Sequence, residues 1–114
     1  MQIYGIKNCD TVKKALKFFD ENSLEFDFHD FKKQPPCEAE VDEWFNHVDL
    51  EILINKRGTT WRKLAPEQQS FDDKDQLKRL IIENPTLLKR PLVNFNGQWI
   101  VGFNANTWRE TFLK

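Results

Sequence analysis

The chain is poor in the residues on which several classes of function depend. It has four glycines in 114 residues. None of them sits in a phosphate-cradling loop, a dinucleotide fingerprint or the G-x-S-x-G turn of a serine hydrolase, so no nucleotide is expected as cofactor. The two histidines, His29 and His47, have no Cys or His partners at metal-ligand spacing. No metal is expected, and both read as solvated or lightly packed. The two cysteines, Cys9 and Cys37, are too few for a disulfide framework and suit a reducing compartment. No apolar run approaches the length of a membrane span, and Met1 leads into a strand-like segment rather than a basic region and a signal core. The expected location is therefore the cytoplasm, without a membrane partner. A net charge of -1 gives no overall field towards nucleic acid, and none is expected as a partner.

What is present is an ordered alternation of patterns, expected to form a single domain over residues 1–114 and a monomer. Ile3, Tyr4 and Ile6 mark a short strand, and Val12, Ala15, Leu16 and Phe19 follow at helical spacing until "DENS" stops the helix. "LEFDFHDF" alternates strictly, with Leu24, Phe26 and Phe28 on one face, and predicts a half-solvated edge strand. Pro35 and Pro36 end it, and Val41, Trp44, Phe45 and Val48 predict a second helix starting near Cys37. Leu50, Leu53 and Ile54 fit a short third helix. "NKRGTTWRKL" lacks periodicity and reads as a loop before a helix carrying Leu77, Leu80 and Ile81. "PLVNF", Asn96-Gly97 and "QWIVGF" predict a tight hairpin, and Trp108 and Phe112 share one side of a closing helix. A parallel strand pair with a crossover helix, then a hairpin and a last helix, is the layout of an α/β, thioredoxin-like mixed sheet. The helical insertion lies between its second and third strands, at roughly 36–88.

Cys9 falls where the first strand meets the first helix. A helix start carries partial positive charge and free N–H groups that favour a thiolate. Lys7, Lys13 and Lys14 act in the same direction, and Asp10 opposes them. The alternative is an inert cysteine packed as a small hydrophobe. Asn8, Asp10 and Thr11 carry oxygens suited to capping the helix. Val12 stands where a C-x-x-C dithiol has its second cysteine, so the site needs an outside thiol, or Cys37, to resolve an intermediate. The alternative for Cys37 is an ordinary cysteine near a helix start. Arg57, Arg62, Lys63, Lys89 and Arg90 form two basic groups. Pro91 opens the third strand, where this fold commonly holds a cis proline beside the cysteine.

Three stretches, "IYGIKNCDTVKKA", "NKRGTTWRKL" and "LLKRPLV", with "VGF" behind them, resemble the arsenate reductase (ArsC) and Spx family over essentially the whole chain. The branch they resemble most is the YffB-like one. The resemblance implies a catalytic cysteine at Cys9 and glutathione-dependent thiol reduction, with glutathione as thiol co-substrate and a small thiol or oxyanion as substrate. Lys7, Asn8, Asp10 and Thr11 would surround the sulfur, Arg90 would supply a fixed charge, and Pro91 would present neighbouring backbone to glutathione. Arg57 would be a further anion contact. Family arsenate reductases hold the oxyanion with three arginines. Here only Arg90 matches, and the other two positions align with Asn55 and Gly102, although Arg57 lies two residues from the first. Spx-type redox switches use C-x-x-C, which Val12 breaks. These departures argue against arsenate reduction and a transcription switch. A genuine arsenate reductase and an Spx-like partner of RNA polymerase are the competing readings.

Overall fold

The computed structural model describes residues 1–113. In chain order it has β1 (Gln2–Gly5), α1 (Asp10–Glu21), β2 (Asp27–Asp30), α2 (Glu38–His47), α3 (Leu50–Leu53) and α4 (Thr59–Arg62). These are followed by α5 (Lys74–Glu83), β3 (Leu92–Phe95), β4 (Gln98–Val101) and α6 (Ala105–Phe112), with 3-10 turns at Pro66–Gln68 and Pro85–Leu87. The chain forms two compact units, one from residues 1–30 and the segment beginning at Arg90, the other Phe31–Lys89. The second unit covers the span expected as the helical insertion. Among the described residues no helix is long and apolar enough to cross a membrane.

The first unit is a four-stranded mixed sheet in the order β2-β1-β3-β4, with β1 and β2 parallel and the other pairs antiparallel. This is the thioredoxin-like arrangement that the element order predicts, with β2 at the edge. Ile3 and Val93 are register partners, and both point into a core with Ala15, Phe18 and Phe19 of α1 and Trp108 and Phe112 of α6. Within α1, Phe18 is buried and Leu16 only half-buried, so the buried stripe differs by one side chain from the spacing expected. β2 is shorter than its alternating sequence. Leu24 donates its N–H to Phe19 O (2.9 Å), which ties it to the end of α1, and ladder pairing starts only at Asp27. The hairpin turn is as expected: Asn96 and Gly97 have φ of 52° and 90°, and the Gly97 N–H reaches Asn94 Oδ1 at 2.9 Å.

His29 is more firmly packed than its reading as a lightly held residue. Its ring stacks on Tyr4 with centroids 4.6 Å apart, and it is hydrogen-bonded to Gln2. Tyr4 in turn stacks on Trp99 at 6.3 Å, so an aromatic row crosses the sheet.

In the second unit Val41 and Trp44 of α2 and Leu77, Leu80 and Ile81 of α5 are buried. Lys78 Nζ meets Asp42 Oδ1 at 3.1 Å, and this bond raises the lysine pKa above its ordinary value. Ile54 and Leu88 form an isolated antiparallel bridge, flanked by Asn55 N–H to Leu87 O and Lys89 N–H to Leu53 O, both 2.8 Å. The stretch read as a loop contains α4. One helical turn is too short to show a period, and α4 is held by tertiary contacts: Trp61 is buried and Thr60 Oγ1 meets Thr86 Oγ1 at 2.6 Å.

Candidate active site

After β1 the chain makes a tight turn, in which the Cys9 N–H donates to Ile6 O at 3.2 Å. Cys9 is then the N-cap of α1, with extended backbone (φ -93°, ψ 127°), and it is half-buried and free of any disulfide. Lys7 and Asn8 are exposed in the turn, and Asp10 and Thr11 are exposed on the first helical turn. Cys9 thus lies in the cap region as expected, while the oxygens of Asn8, Asp10 and Thr11, suited to capping, do not occupy the cap, and the Cys9 side chain makes no cap hydrogen bond. Three other helices are capped by oxygen: Asp49, Asp73 and Asn104 accept backbone N–H groups of α3, α5 and α6, each at 3.0 Å, whereas α2 begins, like α1, at a cysteine. At α1 a sulfur stands in that place. Lys13 N–H closes the first intrahelical bond to Cys9 O at 2.9 Å, which leaves the N–H groups of Asp10, Thr11 and Val12 without helical acceptors. Such a group of donors suits negative charge developing beside Sγ.

Gly5 sets how close α1 sits to β1. A Cβ built on it would lie 2.9 Å from Val12 Cγ2 and 3.5 Å from Val12 Cγ1. Val12 is fully buried and β-branched, so its side chain has no easy rotamer of escape. Gly5→Ala is therefore expected to destabilise the fold by about 1–3 kcal/mol and to slow alkylation of Cys9, three residues before Val12. Urea unfolding and timed iodoacetamide labelling are the measurements, and adding Val12→Ala should cost less than the two single effects summed. Wild-type stability and labelling in Gly5→Ala would show that the close approach is unimportant.

Sheet register brings the remaining residues to this end. Tyr4 pairs with Leu92, so Pro91 falls beside Gly5 as β3 begins, and Gly5 pairs with Asp30 at the end of β2. The Arg90-Pro91 peptide bond is cis, as expected. Pro91 is buried and Arg90 half-buried. The Pro91 carbonyl is already occupied, accepting the Gly102 N–H at 2.8 Å, whereas the main chain of Arg90 makes no hydrogen bond among the described residues. Gly102 has φ of 78°, a conformation suited to glycine.

Seven of the expected residues thus share the first unit: Lys7, Asn8, Cys9, Asp10, Thr11, Arg90 and Pro91. Arg57 belongs to the second unit, exposed in the turn between α3 and α4, with Asn55 half-buried beside it. The sequence reading missed Gly5, its register partner Asp30 and the positive φ of Gly102. A glycine inside a strand pattern was a signal for the first, since it marks close approach of another element. Among the described residues no three His, Cys, Asp or Glu side chains gather at metal-binding geometry.

The ArsC family model matches residues 4–111. The structure is similar to that of a YffB protein, with TM-score 0.87 and 33% identity over 96% of each chain. It is similar too to an uncharacterized protein of Haemophilus influenzae, 37% identical over 96% of each chain. An arsenate reductase of Neisseria meningitidis is 26% identical over 90% of this chain and 89% of its own, and a global transcriptional regulator Spx of Streptococcus agalactiae is 26% identical over 90% and 75%. Matched along almost its whole length, with a thioredoxin-like sheet that sets a free cysteine at the first helix start, the chain belongs to the ArsC family.

Proposed function

We propose that the protein is a glutathione-linked thiol reductase with Cys9 as its single reacting cysteine. The observation that carries this reading is the sulfur at an uncapped helix start, with three N–H groups of the first turn available to it. Relatives named arsenate reductase favour thiol-dependent reduction as the class of chemistry. Val12 is fully buried where a second cysteine of a dithiol would stand, so the intermediate calls for an external thiol. The Cys9 thiolate attacks one sulfur of an oxidised disulfide that carries glutathione. A Cys9 to glutathione bond forms and the other sulfur leaves as a thiolate, which takes up a proton. A glutathione thiolate then attacks the glutathione sulfur of that mixed disulfide, releasing oxidised glutathione and restoring Cys9. The unpaired main chain of Arg90 is the neighbouring backbone that Pro91 would present to the peptide part of glutathione, the Pro91 carbonyl itself being taken. The Arg90 guanidinium supplies a fixed cation, and Lys7, Asn8, Asp10 and Thr11 border the sulfur. This chemistry belongs in a reducing, glutathione-containing compartment such as the cytoplasm.

Arsenate reduction fits less well. A doubly charged oxyanion needs several cations, each charge-assisted hydrogen bond contributing about 1.5–3 kcal/mol. Asn55 and Gly102 withdraw two of the three family arginines, a loss of roughly a hundredfold or more in oxyanion binding if the effects add. Oxidised glutathione is expected to give an intact-mass increase of one glutathione on Cys9. A coupled arsenate assay on the same sample should run no faster than Cys9→Ser. Absence of the adduct, or robust arsenate turnover, would overturn the reading.

A further inference from the structure

We infer that Asn96 is a site of spontaneous modification, conversion to aspartate and isoaspartate with water as co-reactant, and that the Asn94 side chain sets its rate. Asparagine is among the thermolabile residues. Of the nine in this chain only Asn96 is followed by glycine, which leaves the next backbone nitrogen least shielded. In the first step the Gly97 nitrogen bonds to Asn96 Cγ. The bond from Cγ to the side-chain amide nitrogen breaks, and ammonia leaves with the proton that Gly97 has given up. Water then opens the cyclic imide. Attack at the side-chain carbonyl gives aspartate, and attack at the main-chain carbonyl gives isoaspartate, whose main chain runs through the side chain. No group is oxidised or reduced.

The turn gives water free access. Asn96 and Gly97 are both exposed, and a Cβ built on Gly97 would meet nothing within 4 Å. The attacking nitrogen is nevertheless held, because its N–H donates to Asn94 Oδ1 at 2.9 Å. That bond must break before the nitrogen can lose its proton and turn towards Cγ. Asn94 is a firm anchor for it. The residue is half-buried, and its register partners are Gln2 of β1 and Trp99 of β4, so the accepting oxygen issues from the paired part of the sheet. The pair Phe95 and Gln98 closes the ladder around the turn, which fixes φ of 52° at Asn96 and 90° at Gly97. Asn22, which precedes Ser23, is placed differently: its side-chain amide is engaged, Nδ2 donating to Phe18 O at 2.8 Å. Modification at Asn96 would change the hairpin. Isoaspartate adds a main-chain carbon that a two-residue turn of this type does not accommodate. The strand it would loosen, β3, directly follows Pro91.

The full chain, Asn94→Ala and Asn94→Asp are incubated at mildly alkaline pH, and peptide maps locate the mass gain of an amide turned to acid and the isoaspartate isomer. A free peptide of residues 92–99 gives the rate without a folded hairpin. Asn96 should be modified before any other asparagine, and more slowly in the protein than in the peptide. Asn94→Ala should react about fivefold faster than wild type, the effect of one lost hydrogen bond. Asn94→Asp keeps an acceptor oxygen and should stay near the wild-type rate. Hydrogen exchange at the Gly97 amide should rise in Asn94→Ala and not in Asn94→Asp, which separates loss of this bond from general destabilisation. Equal rates in wild type and Asn94→Ala, equal acceleration in both variants, or earlier modification at another asparagine would overturn the inference. Where Asn94→Ala does not fold, the wild type decides: a Gly97 amide that exchanges as fast as in the peptide would overturn it as well.

Discussion

Cys9→Ser is expected to abolish the mixed disulfide with glutathione, while Cys37→Ser leaves it intact. Exposure alone argues the other way, since Cys37 is exposed and Cys9 only half-buried. The charge around each sulfur reverses that order. Cys37 also stands at a helix start, but Glu38 and Glu40 occupy the first turn of α2, and Glu40 Oε1 accepts the Cys37 N–H at 3.0 Å. That arrangement spends a backbone donor on a carboxylate and offsets the positive end of the helix. Cys9 has one acidic residue in its first turn, Asp10, and the cationic neighbours Lys7, Lys13 and Lys14. Because the thiolate is the attacking form, positive surroundings outweigh a modest loss of access. Iodoacetamide labelling at neutral pH, read by peptide mass, should find Cys9 modified about tenfold faster, the effect of some 1.4 kcal/mol. Equal or faster labelling of Cys37, or a mixed disulfide that survives in Cys9→Ser, would move the chemistry away from the first unit.

The largest stability effect is expected at Trp108. It is 1% exposed and its ring meets Phe19 at 4.9 Å, Phe103 at 4.8 Å, Phe112 at 5.3 Å and Phe18 at 5.6 Å. Trp108→Ala empties the centre of a cluster that joins α1, α6 and the sheet, with an expected loss of about 3–5 kcal/mol. The edge-to-face contacts add to the transfer and cavity costs. A typical domain has about 5–15 kcal/mol in all, so the variant should be close to unfolded at modest urea. Far-ultraviolet circular dichroism follows the transition without relying on tryptophan emission. Trp108→Phe should recover much of the loss, and Trp99→Ala, at a half-buried position on edge strand β4, should cost far less. A loss below about 1.5 kcal/mol in Trp108→Ala would be outside the usual range for an aromatic core deletion and would show that the cluster collapses to fill the space.

Local sequence was sufficient wherever a feature depends on residues a few positions apart. The Asn96-Gly97 turn needs two residues that accept positive φ, and the chain supplies them between two apolar runs. The α1 and α5 stripes follow from helical spacing, and the thiol at the start of α1 follows from a strand pattern giving way to a helical one at Cys9. Tertiary structure decided whatever depends on which distant partner arrives. Phe18 rather than Leu16 is buried because Trp108 and Phe103, from the far end of the chain, pack against its ring. α4 exists through contacts of Trp61 and Thr60 that no local period announces. Pro91 stands beside Gly5 because β1 and β3 pair in one register, and a slip of one residue would turn every side chain of the strand to the other face. The place of Cys9 at a helix start was thus legible from a dozen residues. Its surroundings were not, because strand register and core packing are settled by long-range contacts between segments that carry no mark of one another in sequence.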